Sequence, residues 1–380
     1  MSDPSDLVLL FTGDVSIQRS EVNQPPESIF ALVEPIFRQA DIRFCQLESV
    51  FSNIGGSTAH KSVAFRTAPE NASALKYAGF DVLSLAGNHC MDSGPEALLD
   101  CVELLTGQGF HILGVGKNIA EARKPVVLER EGTRIGFLTY NSILPPGFRA
   151  KSGKAGCSPL GVYTHYEQVE THQPGTPCLI RTFPVMEDLE AMKQDIECLR
   201  ARADVVVVSF HWGLHFIPAA LAEYERVVGH IAIDTGADLI IAHHPHILKG
   251  IEVYKGKVIF YSLGNFAFDS RWTREDFEEP NRKAKHKLLD PGWEWDPDYP
   301  GYQFPVDTRK TLVAKCAVSD GRVQRVSFLP AFINRDAQPE ILSRQDDRFG
   351  QVINYVKGIT ESQGLRTNFS LEGDEVVIQF

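Results

Sequence analysis

Seven polar side chains stand where short apolar runs end. Asp14 follows LVLLFTG, Glu48 follows IRFCQL, Asn88 and His89 follow VLSLAG, His211 follows VVVVSF, and His244 and His246 follow LIIA and a further histidine. Two carboxylates, one amide and four imidazoles make a donor set suited to one or two hard-to-borderline divalent cations: Mn, Fe, Zn or Mg. Taken singly, each residue has an ordinary reading as well. Asp14 suits a turn, Glu48 a helix N-terminus, Asn88 an Asx turn, and His211 beside Trp212 a packed core. The set is what points to chemistry, because no packing rule requires polar groups at the ends of five strands. The stretch AGNHCMDSG (86–94) pairs an amide with an imidazole on a glycine-framed turn, with Asp92 three residues beyond the imidazole.

These side chains need elements to position them. The runs 6–14, 42–49, 80–89, 134–141, 204–213, 237–246 and 257–266 are rich in Val, Ile, Leu and Phe. Continuous apolar runs of this kind read as strands buried on both faces. Between them lie helix-like stretches. Residues 26–40 place Ile29, Leu32, Val33, Ile36 and Phe37 at helical spacing, and 69–79, 94–109, 187–202 and 223–236 behave likewise. Three of the five end at a glycine suited to a left-handed cap. The alternation predicts an α/β fold whose polar groups share the C-terminal rim of the strands, where such sheets bind ligands.

Two segments break the pattern. Residues 142–183 are rich in Pro, Gly, Ser and Thr and read as a long insertion or a loop with short strands. Residues 270–308 mix charges with Trp272, Trp293 and Trp295 and read as a lid or binding loop, or as a surface insertion. Residues 309–333 read as a strand pair around the Asp320-Gly321 turn, within a single domain spanning 1–380.

A formal net charge of −11 argues against general nucleic-acid binding, although it leaves room for a local basic pocket. The start, MSDPSDLVLLFTGD, has no basic region and only a short apolar run. No later run approaches the roughly twenty apolar residues of a membrane helix. Seven cysteines without a CxxC pair suit a reducing compartment. The expectation is a cytoplasmic protein without membrane contact.

In this order, FTGDV, QLES, AGNHCMD, SFHWG, AHHPH and YSLGNFAFD resemble the CapA family of poly-γ-glutamate capsule proteins, within the calcineurin-like metallophosphoesterase fold group. The resemblance covers roughly residues 6–270. It implies a four-layer α/β/β/α sandwich with a long aromatic loop after the last motif. It also implies that Asp14, Glu48 and His246 hold one metal, and that Glu48, Asn88, His211 and His244 hold the other. Ser16 stands where the wider group has a histidine. His89 matches a histidine that faces the substrate and donates a proton, with Asp92 either orienting it or capping the helix before Gly94-Pro95. Gln46 stands where the family has Asn, and its role is open. His243 reads as a spacer, and His215 as structural or as a support for the ligands. Arg19, Arg66 and Asn265 are substrate-binding candidates; the two arginines read equally as solvated surface, and Asn265 as a turn residue.

The CapA resemblance favours a metal-dependent hydrolase in which an activated water attacks an amide, γ-glutamyl-like, or another carboxylic derivative. The wider fold group favours a phosphoester. A non-catalytic binding protein of polymer biosynthesis is the alternative outside enzymes. The expected partner is a small-molecule or peptide-like anionic substrate.

Overall fold

Along the first strand, Leu7–Ser16, the apolar side chains divide by parity. Leu7, Leu9 and Phe11 enter one buried cluster and Leu10 enters another. The strand Val205–His211 does the same, with Val205 and Val207 on one side and Val206, Val208 and Phe210 on the other. Successive side chains of a strand point to opposite faces, so an unbroken apolar run needs a covering layer on both sides. The computed structural model describes residues 6–56, 65–269 and 272–380, and it supplies those layers.

A ten-stranded sheet runs Asn368–Glu372, Glu375–Gln379, Arg322–Ile333, Lys310–Ser319, Leu7–Ser16, Ile42–Leu47, Val82–Ser84, His111–Leu113. Asn265–Phe268 also pairs with the first strand, in parallel, and Pro339–Ile341 with Arg322–Ile333. A six-stranded sheet runs Ile251–Tyr254, Lys257–Phe260, Leu239–His243, Val205–His211, Thr133–Asn141, Val126–Arg130. The sheets face each other across one core, in which Phe11, Phe44 and Leu312 meet Phe137, Val207 and Ile241. Helices Ala72–Ala78 and Pro95–Gly107 cover the outer face of the larger sheet through Leu75, Leu98 and Leu105. Met186–Arg200 and Glu223–Thr235 cover the other through Met192, Ile196 and Val228. The architecture is the four-layer α/β/β/α sandwich.

Some segments add detail to their sequence reading or differ from it. The helical pattern over 26–40 folds as two short pieces, a 3-10 turn Pro26–Phe30 and a single α turn Glu34–Phe37. Pro35 is the cause: it lacks the N–H that a continuous helix would donate to the Ala31 carbonyl, so it is accommodated in the first turn of a new helical piece. Within 142–183 the chain forms the exposed hairpin Val162–Glu167 and Leu179–Pro184. The described part of 270–308 is largely folded, with helices Arg274–Glu278 and Pro280–Leu289. Phe277, Trp293, Tyr302 and Phe304 from this segment form a buried aromatic cluster with Phe216 and Phe268. The helix Asp347–Ser362 feeds Phe349, Val352, Val356 and Ile359 into the inter-sheet core. Among the described residues no helix is long and apolar enough to cross a membrane.

Candidate metal centre

Two glycines set the closest backbone approach at the rim. A Cβ on Gly13 would stand 2.1 Å from the Gly264 carbonyl oxygen. The gap lets Asp14 N–H donate to that oxygen at 2.9 Å and puts Asp14 in parallel register with Asn265. Gly264 has φ 70°, a region that favours glycine. Ile42–Leu47 ends beside the first strand and presents Glu48, whose N–H donates to Val15. Val82–Ser84 leads into the turn carrying Asn88 and His89. From the opposite sheet, Val205–His211 and Leu239–His243 run parallel, with His211 level with His243. The chain then turns sharply: His244 has φ 94° and His246 φ 58°. Such backbone costs about 1–3 kcal/mol per residue and concentrates at functional sites.

Asp14, Glu48 and His211 each offer a donor atom, all within 4.8 Å of one another, and all three residues are buried. Asp14 Oδ2 accepts the His244 N–H at 3.1 Å and lies 3.7 Å from His246 Nδ1; Oδ1 lies 3.5 Å from His243 Nδ1. Glu48 lies 3.6 Å from His211 Nε2 and 4.0 Å from His246 Nε2. Asn88 Oδ1 accepts from His211 Nε2 at 2.8 Å. The His244 ring centroid is 4.9 Å from that of His211. The structure therefore gathers Asp14, Glu48, Asn88, His211, His244 and His246 in one buried cluster drawn from both sheets.

The donor set fits a divalent cation. Burial pushes the Asp14 carboxyl up, and it holds His211 and His244 well below the ordinary imidazole range, with neighbouring imidazoles adding to the effect. Burial takes His246 down to about 4 and His243 to about 3. Neutral imidazoles are the ligand form. Asp14 Oδ1, His211 Nδ1 and His244 Nδ1 are buried and make no hydrogen bond among the described residues. Among the described residues no lysine or arginine forms an ion pair with Asp14, and a buried carboxylate so placed is costly unless a cation compensates.

Other side chains hold this cluster in place. His246 Nδ1 hydrogen-bonds Asn265 Oδ1 at 2.7 Å, Asn265 Nδ2 donates to Tyr302 Oη at 2.9 Å, and Tyr302 donates to the Thr308 carbonyl at 2.9 Å. Asn265 thus fixes the ring of His246. His89 Nδ1 lies 2.6 Å from Asp92 Oδ2, which also accepts the Phe65 N–H at 2.9 Å. The N-cap of the following helix is Gly94, so Asp92 serves His89 and not the helix. Gln46 is buried behind the Asn88 turn and its amide makes no hydrogen bond among the described residues.

The two arginines are engaged elsewhere. Arg19 pairs with Asp269 at 3.2 Å and donates to Gln24 and to the Asp336 carbonyl. Arg66 is exposed and donates to the carbonyls of Ile54 and Gly55. No motif marks Tyr302 behind Asn265, nor Phe216, whose ring stacks on His246 at 5.6 Å. The aromatic richness of 270–308 was the one trace of the former.

Residues 8–270 match the family described as bacterial capsule synthesis protein PGA_cap. The chain is 32% identical over 270 residues to the PGA biosynthesis protein CapA of Bacillus subtilis, covering 70% of this chain and 64% of that protein. It is 29% identical over 216 residues to the capsule biosynthesis protein CapA of Bacillus anthracis, covering 57% and 47%. Each match thus spans less than two thirds of the relative's length. Among solved structures, the calcineurin-like phosphoesterase YfkN from Bacillus subtilis aligns with a TM-score of 0.40 at 13% identity, over 94% of this chain and 98% of that one. The family match runs from the first strand through the segment that carries Asn265, more than half of the chain, and the protein belongs to the PGA_cap family of bacterial capsule synthesis proteins.

Proposed function

We propose that this protein is a metal-dependent hydrolase of amides or other carboxylic derivatives, with a small or peptide-like anionic substrate. One observation carries the reading: a buried Asp14–Glu48–His211 donor cluster shares its rim with a histidine whose Nδ1 is tied to a buried carboxylate. Asp14, Glu48, Asn88, His211, His244 and His246 are the residues to hold metal. When bound, a divalent cation there polarises a carbonyl oxygen and lowers the pKa of a water. The chain's own contribution is the proton. Asp92 accepts the Nδ1–H of His89 and stabilises its imidazolium, whose second proton, on Nε2, goes to the departing amine and leaves the neutral ring. Amide nitrogen leaves poorly as an anion, so this protonation matters most for amides. Ser16, where phosphoesterases of the wider fold group carry a histidine, pairs its hydroxyl with Ser49 at 2.6 Å instead, which favours carbonyl over phosphoryl chemistry.

The test is a panel of amides, lactones, esters and phosphoesters, run after loading with Mn, Fe, Zn and Mg in turn. Metal-dependent turnover of amides or esters is expected. Turnover confined to phosphoesters would overturn the substrate class. The relatives are named for biosynthesis, which favours a second reading as a non-catalytic partner in polymer assembly. Protein that takes up none of these metals and turns over nothing would favour that reading.

A further inference from the structure

The helices that follow the last motif enclose a cleft of about 290 Å³ against the metal centre. His215 is the shared wall. Its ring centroid lies 3.9 Å from His244 and 5.2 Å from His246, and its buried Nε2 makes no hydrogen bond among the described residues. Trp272, His286 and Trp293 supply the aromatic part of the lining, beside Leu289. Trp293 stacks on His286 at 4.0 Å and Trp272 stacks on the same ring at 5.3 Å.

Two cations stand in this lining. Arg282 lies over the Trp272 ring at 5.2 Å, and Lys285 is exposed. Neither forms an ion pair among the described residues, whereas the flanking Lys283 and Lys287 are paired with Glu278 and Glu294. The cleft also holds Glu279, but its carboxylate is turned onto the helix start, accepting the N–H groups of Asn281 at 3.2 Å and Arg282 at 2.8 Å. That contact decides between anions. A helix N-terminus suits phosphate, and here its N–H groups are already taken. Two side-chain cations beside an apolar wall match the two oxygens of a carboxylate on a short stem. The volume, at the lower edge of small-molecule sites, suits such a stem.

We propose that this cleft binds the free carboxylate of the substrate through Lys285 and Arg282, with the stem against the wall of Trp272, Trp293 and Leu289 and the scissile carbonyl beyond His215. Only the position of the scissile bond rests on the hydrolase reading; the binding itself needs no turnover. The probe is glutaramic acid, which carries one carboxylate and one amide, with glutaramide as its neutral counterpart. Each is titrated into metal-free protein and followed by tryptophan fluorescence.

Saturable quenching by glutaramate is expected, with glutaramide about tenfold weaker or worse. Lys285→Ala and Arg282→Ala are each expected to weaken glutaramate by about tenfold and leave glutaramide unchanged. Both side chains reach solvent, and unchanged circular dichroism confirms folded variants. Equal affinity for the two probes, unchanged Kd in the variants, or no saturable quenching would overturn the assignment. Inorganic phosphate displacing glutaramate at lower concentration than glutaramate itself would overturn the choice of carboxylate. Glutaramate binding by protein that, once loaded with metal, turns over no amide, lactone or ester would retain the cleft and remove the hydrolase reading.

Discussion

Asn88 and His89 are adjacent in the chain, yet their side chains meet different partners, His211 and Asp92. Their replacements are therefore expected to fail differently. His89→Ala keeps metal and loses about 10²–10⁴-fold in turnover, less so for substrates whose leaving group needs no proton. Asn88→Ala loses metal and slows all substrates alike. Metal content and rates over a leaving-group series separate the two; equal slowing across that series in metal-loaded His89→Ala would remove the proton-donor role. Asn265 acts through His246, so Asn265→Leu is expected to weaken metal binding by about 10–100-fold, read by competition with a chelating dye. Unchanged affinity would show that His246 needs no support. The donors themselves were legible in the sequence because each ends an apolar run. Their supports were not. Tyr302 lies 37 residues beyond Asn265, in a segment with no motif, and Phe65 reaches Asp92 through a backbone N–H that any residue has.

Strands and helices were legible to the extent that one local rule governed them. The runs of Val, Ile and Leu fold as strands because both faces are covered, and the parity of Leu9, Leu10 and Phe11 shows two cores sharing one strand. The 26–40 stretch misled because apolar spacing and proline conflict there, and the missing N–H of Pro35 prevails over the spacing. At the rim, backbone proximity is the governing constraint. Gly13→Ala would place its methyl 2.1 Å from the Gly264 oxygen, so the pairing that aligns Asp14 with Asn265 must shift. A loss of about 3 kcal/mol is expected in urea unfolding, together with weaker metal binding. Gly153→Ala, with nothing within 4 Å of its Cβ, is the control and should differ little from the parent. Equal midpoints for the two variants would show that the Gly13–Gly264 approach carries no constraint.

At the scale of the whole molecule, the alternation of elements specified an α/β class, but not the partition of strands between sheets. That partition depends on long-range pairing, such as Asn265–Phe268 returning beside Leu7–Ser16. It has an energetic consequence. Asp14, Glu48 and Asn88 come from the side of the ten-stranded sheet, and His211, His244 and His246 from the six-stranded sheet, so one ion ties the two layers together. For a single site, free metal a hundredfold above Kd stabilises the fold by about 2.7 kcal/mol, so metal removal is expected to lower Tm by several degrees. Asp14→Asn separates this tie from ordinary packing. Burial pushes the Asp14 carboxyl up, which means that its charged form opposes folding at neutral pH when no cation is present. Asparagine keeps the shape and removes the charge. The metal-free variant is therefore expected to melt at or above the metal-free parent and to gain nothing when metal is added. Differential scanning calorimetry of both proteins, with and without metal, reads all four values. A metal-free Asp14→Asn protein that melts well below the metal-free parent would show that the carboxylate is held for the fold itself and not for a cation.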